Sequence, residues 1–152
     1  MSNQLPPQPI WGFDGISPGP TYVAQYNTPI LVRNVNNLPA NNGGFGKNSV
    51  STHLHNSHTP SESDGFPCDF FEATHFYDQY YPNKYAGFNS THRPNGDINE
   101  AMSTLWYHDH RVDFTSQSTR GSPASTCSST SSTPAMRRRA STCRPSRPTT
   151  SR

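Results

Sequence analysis

From Ser118 to Arg152 the chain carries no Leu, Ile, Val, Phe, Tyr or Trp. A segment with nothing apolar to bury cannot offset the entropy lost when it is ordered. A packed core must therefore come from the residues before it. Charge divides at the same place. All ten Asp and Glu lie at or before Asp113, and only five Lys and Arg precede Ser118, so that portion carries about −5. The remainder has seven Arg and no acid, about +7. The formal net charge of +2 averages two unlike pieces, which are read separately. Hydrophobic residues make up 30% of the chain, below the ~45–50% usual for globular domains, and the tail accounts for much of the deficit.

The three cysteines, Cys68, Cys127 and Cys143, have irregular spacing and give neither a disulfide framework nor a C-x-x-C zinc signature. The opening MSNQLPPQP is extended and Pro-rich; no signal peptide is present as written, and the compartment stays open, a secreted parent included. No apolar run approaches the ~20 residues of a membrane helix, so no membrane partner is expected. Asn89-Ser90-Thr91 fits a glycosylation acceptor, a triplet common by chance.

Before Ser118 short β-rich runs alternate with breakers. The stretch from Gly12 to Pro39 reads as turn, strand, turn, strand, turn, punctuated by Gly15 and Pro18-Gly19-Pro20. Its strands are Thr21-Tyr22-Val23-Ala24 and Ile30-Leu31-Val32. SVSTHLHN is the next strand-like run, and residues 56–70 are polar and turn-rich. The aromatic run FFEATHFYDQYYPNKYAGF is ambiguous in type; RPNGD is a turn, and AMSTLWYHDHRVDF is a final strand. Strands at roughly ten-residue spacing, with no sustained helical period, predict an all-β sandwich or barrel.

Four of the seven histidines form two His-x-His pairs: His53 and His55 in STHLHNSH, and His108 and His110 in LWYHDHR. On a strand, positions i and i+2 face the same side, roughly 6.5–7 Å apart. Each pair can present two imidazoles to one surface, with Leu54 and Asp109 turned to the other. Two such strands together could offer four nitrogens to copper, zinc, iron or nickel. One pair alone is unremarkable; two, each in a strand-like run with apolar neighbours, point to a metal site. His58 reads as a solvated loop residue, and His75 and His92 as structural or exposed.

The order WGFDG, Pro-Gly-Pro, His-Leu-His, SESDGFP and Trp-Tyr-His-Asp-His resembles the N-terminal cupredoxin domain of the multicopper oxidases. Within that family it is most similar to the branch of spore-coat laccases, bilirubin oxidases and phenoxazinone synthases. The resemblance covers about residues 10–117. It implies a Greek-key, plastocyanin-like barrel, one of three in an enzyme that couples one-electron oxidation of phenolic or related donors to reduction of dioxygen to water. Eight histidines in four His-x-His motifs hold a trinuclear copper cluster in that family. The resemblance makes His53 a type 2 ligand and His55, His108 and His110 type 3 ligands. It places Asp64 near the cluster as an acid that helps move protons; the plainer reading is a turn-forming Asp before Gly65. Trp106 and Tyr107 read as packing around the site rather than redox relays. Asn56 departs from the Gly that commonly follows His-x-His, which bears on the local turn and not on the ligands.

The chain has no third or fourth His-x-His and no His-Cys-His for a type 1 copper. The resemblance also implies strands ahead of WGFDG and a further strand after residue 117. The expectation is an all-β, incomplete Greek-key cupredoxin barrel at 10–117, an extended segment at 1–9, and a disordered, low-complexity basic tail at 118–152. Cupredoxin domains 2 and 3 of the parent would be missing partners. Four ligands alone are not expected to sustain turnover. A barrel with open edges leaves backbone groups without partners, so the chain is not expected to fold stably alone. The tail has three readings. It could be a basic arm for an anionic surface, through Arg137-Arg138-Arg139, or a mucin-like segment. No aromatic residue interleaves with those arginines, so no nucleic-acid partner is expected. The preferred reading is out-of-frame translation. Read one base earlier, TCN serine codons encode Phe, Leu, Ile or Val, and a consistent choice of codons from Arg120 begins Gly-Leu-Ala-Gly-Phe-Tyr, the kind of strand the family places there.

Overall fold

The computed structural model describes residues 11–16, 18–41, 46–84, 86–87 and 104–115, and the backbone of 125–130 and 141–145. Those residues form ten strands and one 3-10 turn, with no α-helix among them. The strands are β1 (Trp11–Phe13), β2 (Tyr22–Gln25), β3 (Ile30–Asn36), β4 (Ser49–Val50), β5 (Thr52–His55), β6 (Phe71–Glu72), β7 (Phe76–Tyr81), β8 (Leu105–Asp109), β9 (Ser125–Thr130) and β10 (Ser141–Pro145); the 3-10 turn is Ser61–Ser63. They assemble as two four-stranded sheets, ordered β1-β10-β3-β7 and β2-β9-β8-β5, plus a β4-β6 ribbon.

The period of two is visible in β3 and β7. Ile30, Val32 and Asn34 pair with Tyr81, Gln79 and Tyr77 on the inner face, and Leu31, Arg33 and Val35 pair with Tyr80, Asp78 and Phe76 on the outer. The outer register is held by two Arg33–Asp78 hydrogen bonds, 2.6 and 2.5 Å, with the guanidinium 4.0 Å above the Phe76 ring. An exposed pair of this kind contributes little to stability, so packing carries most of the sheet.

The apolar core is Phe13, Leu54, Tyr81 and Tyr107, with Tyr22, Ile30, Val32 and Leu105 packed against it. Tyr107 is its hinge pin. Its ring meets Phe13 at 4.7 Å and Tyr22 at 5.3 Å, both edge-on, and its hydroxyl donates to the Pro20 carbonyl at 2.6 Å. The Pro18-Gly19-Pro20 entry turn is thereby tied to β8. Next to this core lies a polar interior. Nine buried polar or charged residues outnumber seven buried hydrophobic ones among the described residues, so hydrogen bonds must satisfy what is enclosed. Asn34 donates to Gln79 at 2.6 Å; Gln79 Nε2 donates to the carbonyls of Thr52 and Ser63; Asn36 Nδ2 donates to those of Asn48 and Phe71.

Two elements differ from the sequence-based expectation. Residues 11–13 adjoin a turn signal but form β1, and the turn is confined to Asp14 and Gly15, both at positive φ. SVSTHLHN divides at Ser51, because β4 pairs with β6 and β5 with β8. The backbone of residues 125–130 and 141–145 is extended. The backbone of β9 runs between β2 and β8, and that of β10 between β1 and β3. Main-chain pairing needs no apolar side chain, and threonine tolerates extended backbone, so open edges can be satisfied by a polar segment. The 1–9 segment, the rest of the tail, the RPNGD turn, Asn89-Ser90-Thr91 and His92 lie outside the described residues.

Candidate metal centre

Strands β5 and β8 pair antiparallel, with Thr52 opposite Asp109, His53 opposite His108, Leu54 opposite Tyr107 and His55 opposite Trp106. Because paired residues share a face, Leu54 and Tyr107 enter the core while His53, His55, Trp106 and His108 stand on the other side. His110 follows directly after β8. Its ring lies 5.1 Å from those of both His53 and His108. His53 and His108 are 5.6 Å apart between ring centres, and His53 and His55 5.5 Å. One ligand atom from each of His53, His55 and His108 falls within 4.8 Å of the others.

Backbone carbonyls fix two of the rings. His53 Nδ1 lies 2.5 Å from the Asp64 carbonyl oxygen, and His108 Nδ1 2.7 Å from that of Asp109. A carbonyl only accepts, so each Nδ1 carries the proton and each Nε2 keeps its lone pair. His108 Nε2 and His110 Nδ1 are buried with no hydrogen-bond partner among the described residues. Buried polar atoms normally find partners, and these orphans belong to two of four clustered imidazoles. The donor set fits a soft-to-borderline metal ion, with His53 and His108 offering Nε2.

The loop after β5 delivers the Asp64 carbonyl. Gly65 makes this possible at φ +74°, against the Thr52 carbonyl and 2.8 Å from the His53 Cα measured to an added Cβ. The Asp64 carboxylate is partly exposed, with Oδ1 3.5 Å from His53 Nδ1. Asp64 therefore touches His53 twice, once through its backbone and once through its side chain. Asn56 occupies φ +66° and donates from Nδ2 to the Thr104 carbonyl at 3.1 Å. Asparagine tolerates this left-handed conformation, so the turn after His-x-His is kept without glycine.

Trp106, expected to pack around the site, lies with its indole against two of the imidazoles. It stacks on His55 at 4.7 Å and on His108 at 4.3 Å. What the pattern did not reveal is the support beneath: Gln79 and Ser63 under the loop, and Arg111 between Phe70 and Phe114. His58 and His75 are exposed and separate from the cluster.

Burial pushes His108 down to about 4, opposed by its bond to the Asp109 carbonyl and helped by the neighbouring imidazoles. His110 is lowered too, first by burial and then by His53 and His55, with Asp64 opposing. His108 is thus neutral, the ligand form, at neutral pH. Protons bind the unfolded imidazole more readily, so this ring favours the fold fully above about pH 6.5 and less as pH falls through about 4. The His108 Cε1–H resonance of the metal-free chain is expected to titrate well below pH 6; a midpoint near 6.5 would contradict its enclosure.

Comparison with known proteins agrees with this geometry. Residues 2–124 match the family model described as multicopper oxidase. The chain is 35% identical to a bilirubin oxidase of Albifimbria verrucaria over 106 residues, which is 70% of this chain and 14% of that protein. It is 32% identical to a laccase of Bacillus subtilis (strain 168), over 76% of this chain and 24% of that protein. The chain thus spans a quarter or less of the curated relatives it matches. Among solved structures, a multicopper oxidase from Campylobacter jejuni, a metallo-oxidase, superposes with a TM-score of 0.58 at 18% identity, covering 78% of this chain and 21% of that one. That likeness concerns the fold alone, an all-β cupredoxin fold. With sequence, fold and clustered imidazoles in agreement, the chain belongs to the multicopper oxidase family, whose metal is copper.

Proposed function

We propose that the four histidines are one half of a trinuclear copper site in a laccase-like oxidase. In this reading His53 is the type 2 ligand and His55, His108 and His110 are type 3 ligands. The parent oxidises phenolic or related donors in one-electron steps and reduces dioxygen to water. The observation that carries it is the convergence of two cross-strand His-x-His pairs, with the Nε2 of His108 buried and without a partner among the described residues. Copper, when bound, supplies the one-electron chemistry and the place where dioxygen is reduced. The chain's own residues hold and orient. The Asp64 carbonyl keeps the His53 proton on Nδ1, and the partly exposed Asp64 carboxylate can hold a proton between solvent and the site. Trp106 covers one side of His55 and His108. The remaining ligands, the type 1 copper and the donor pocket are assigned to cupredoxin domains 2 and 3 of the parent.

A second reading is a non-catalytic copper-binding β-domain. It is favoured by three imidazole donors already within 4.8 Å of one another on this chain. The coding sequence around Gln117, read in all three frames with its flanks, separates the two. The oxidase reading expects two further His-x-His motifs and a His-Cys-His downstream. Their absence from every frame, or sustained dioxygen uptake with a phenolic donor by the copper-loaded chain alone, would contradict it.

A further inference from the structure

The paired ladder of β5 and β8 ends at Thr52 opposite Asp109. One residue further, Ser51 marks the break at which the chain leaves for β4 and a different sheet. Its buried N–H has no main-chain acceptor in the β5–β8 ladder. The Asp109 carboxylate takes that place: Oδ1 accepts from Ser51 N–H at 3.0 Å and from Arg111 N–H at 3.2 Å. In return the Ser51 carbonyl accepts from His110 N–H at 2.7 Å. Three hydrogen bonds thus close a ring through Ser51 and residues 109–111, directly beneath the imidazoles. Arg111 seals the underside. Its Nε donates to Ser49 Oγ, its Nη1 donates to the Val112 carbonyl at 2.9 Å, and its guanidinium lies 3.9 Å from the Phe70 ring.

Taking the histidines as metal ligands, we propose that Asp109 is a positioning residue: its buried Oδ1 stands in for a main-chain acceptor at the ladder's end and sets where His108 and His110 stand relative to His53. The carboxylate faces away from the imidazoles and is not itself a ligand. Its role is the location of one acceptor oxygen, not its charge.

Shape and charge can be separated in the full chain. D109N keeps an acceptor oxygen in place without the charge; D109E keeps the charge and displaces the oxygen by a methylene. In the metal-free chain, nuclear Overhauser contacts between the His53 and His110 rings, 5.1 Å apart, are expected in D109N and lost in D109E. The Leu54–Tyr107 core contact, which reports the fold itself, is expected in both. Titration with Cu²⁺ should follow the same order, with Kd raised about tenfold or more in D109E and little changed in D109N, the range typical of lost outer-shell support. Ring contacts and Cu²⁺ affinity as in the wild type in D109E, or a D109N variant that loses them while D109E keeps them, would overturn the proposal. The ring contacts need no metal. A chain whose imidazoles stand as described but bind no Cu²⁺ would sink the copper reading and leave the positioning of the rings intact.

Discussion

Replacement of Gly65 by Ala is expected to destabilise the chain by about 3 kcal/mol and to remove the metal site with it. Two costs combine at this position. The backbone stands at φ +74°, where an L residue loses roughly 1–2 kcal/mol. The added methyl would overlap the Thr52 carbonyl and approach the His53 Cα to 2.8 Å, an overpacking of roughly 1–3 kcal/mol. Neither obstacle can yield cheaply. The Thr52 carbonyl is gripped by Gln79 Nε2 at 2.5 Å, and His53 lies in the ladder with β8. The segment carrying Asp64 must therefore lift, and His53 Nδ1 loses the carbonyl that fixes its tautomer. Urea denaturation of wild type and variant, with the His53 ring resonances followed in the folded baseline, measures both effects. A variant within about 0.5 kcal/mol of wild type, the usual range of surface substitutions, would show that this contact is not confining.

Much of the site was legible because period two is a rigid rule. With STHLHNSH and LWYHDHR as strands, His53, His55, His108 and His110 share faces, and Leu54 and Asp109 oppose them. The structure keeps that division. Trp106 followed from the same rule, since it is two residues before His108. The register between the strands did not follow. It depends on the Leu54–Tyr107 contact and on the end of the ladder at Ser51, neither of which periodicity encodes. Nor could the sequence say which nitrogen of each ring is free, because that rests on two carbonyls brought in by the Asp64 loop and by Asp109 itself.

The misses have physical causes. FFEATHFYDQYY was ambiguous because aromatic residues populate both faces; Thr74 at φ +73° interrupts it and separates β6 from β7. Asn34, Asn36 and Gln79 are buried with hydrogen-bond partners, at positions that look solvent-facing in sequence.

The second large effect concerns His53 and His108, which stand directly opposite each other and both keep Nε2 free. With both replaced by Ala, His55 and His110 remain on opposite strands, with no imidazole between them. Loss of outer-shell support alone typically weakens metal binding 10–100-fold, so loss of both central ligands should weaken it on the order of a hundredfold or more. His58 and His75 persist in the variant, and any residual weak binding reports them. The decisive measurement is a Cu²⁺ titration of the wild-type chain and the double variant, followed by electron paramagnetic resonance. The expected result is tight uptake by the wild type, near one ion per chain, with imidazole-nitrogen couplings that vanish in the double variant. An unchanged affinity and an unchanged nitrogen pattern in the double variant would contradict a copper site built on these paired strands.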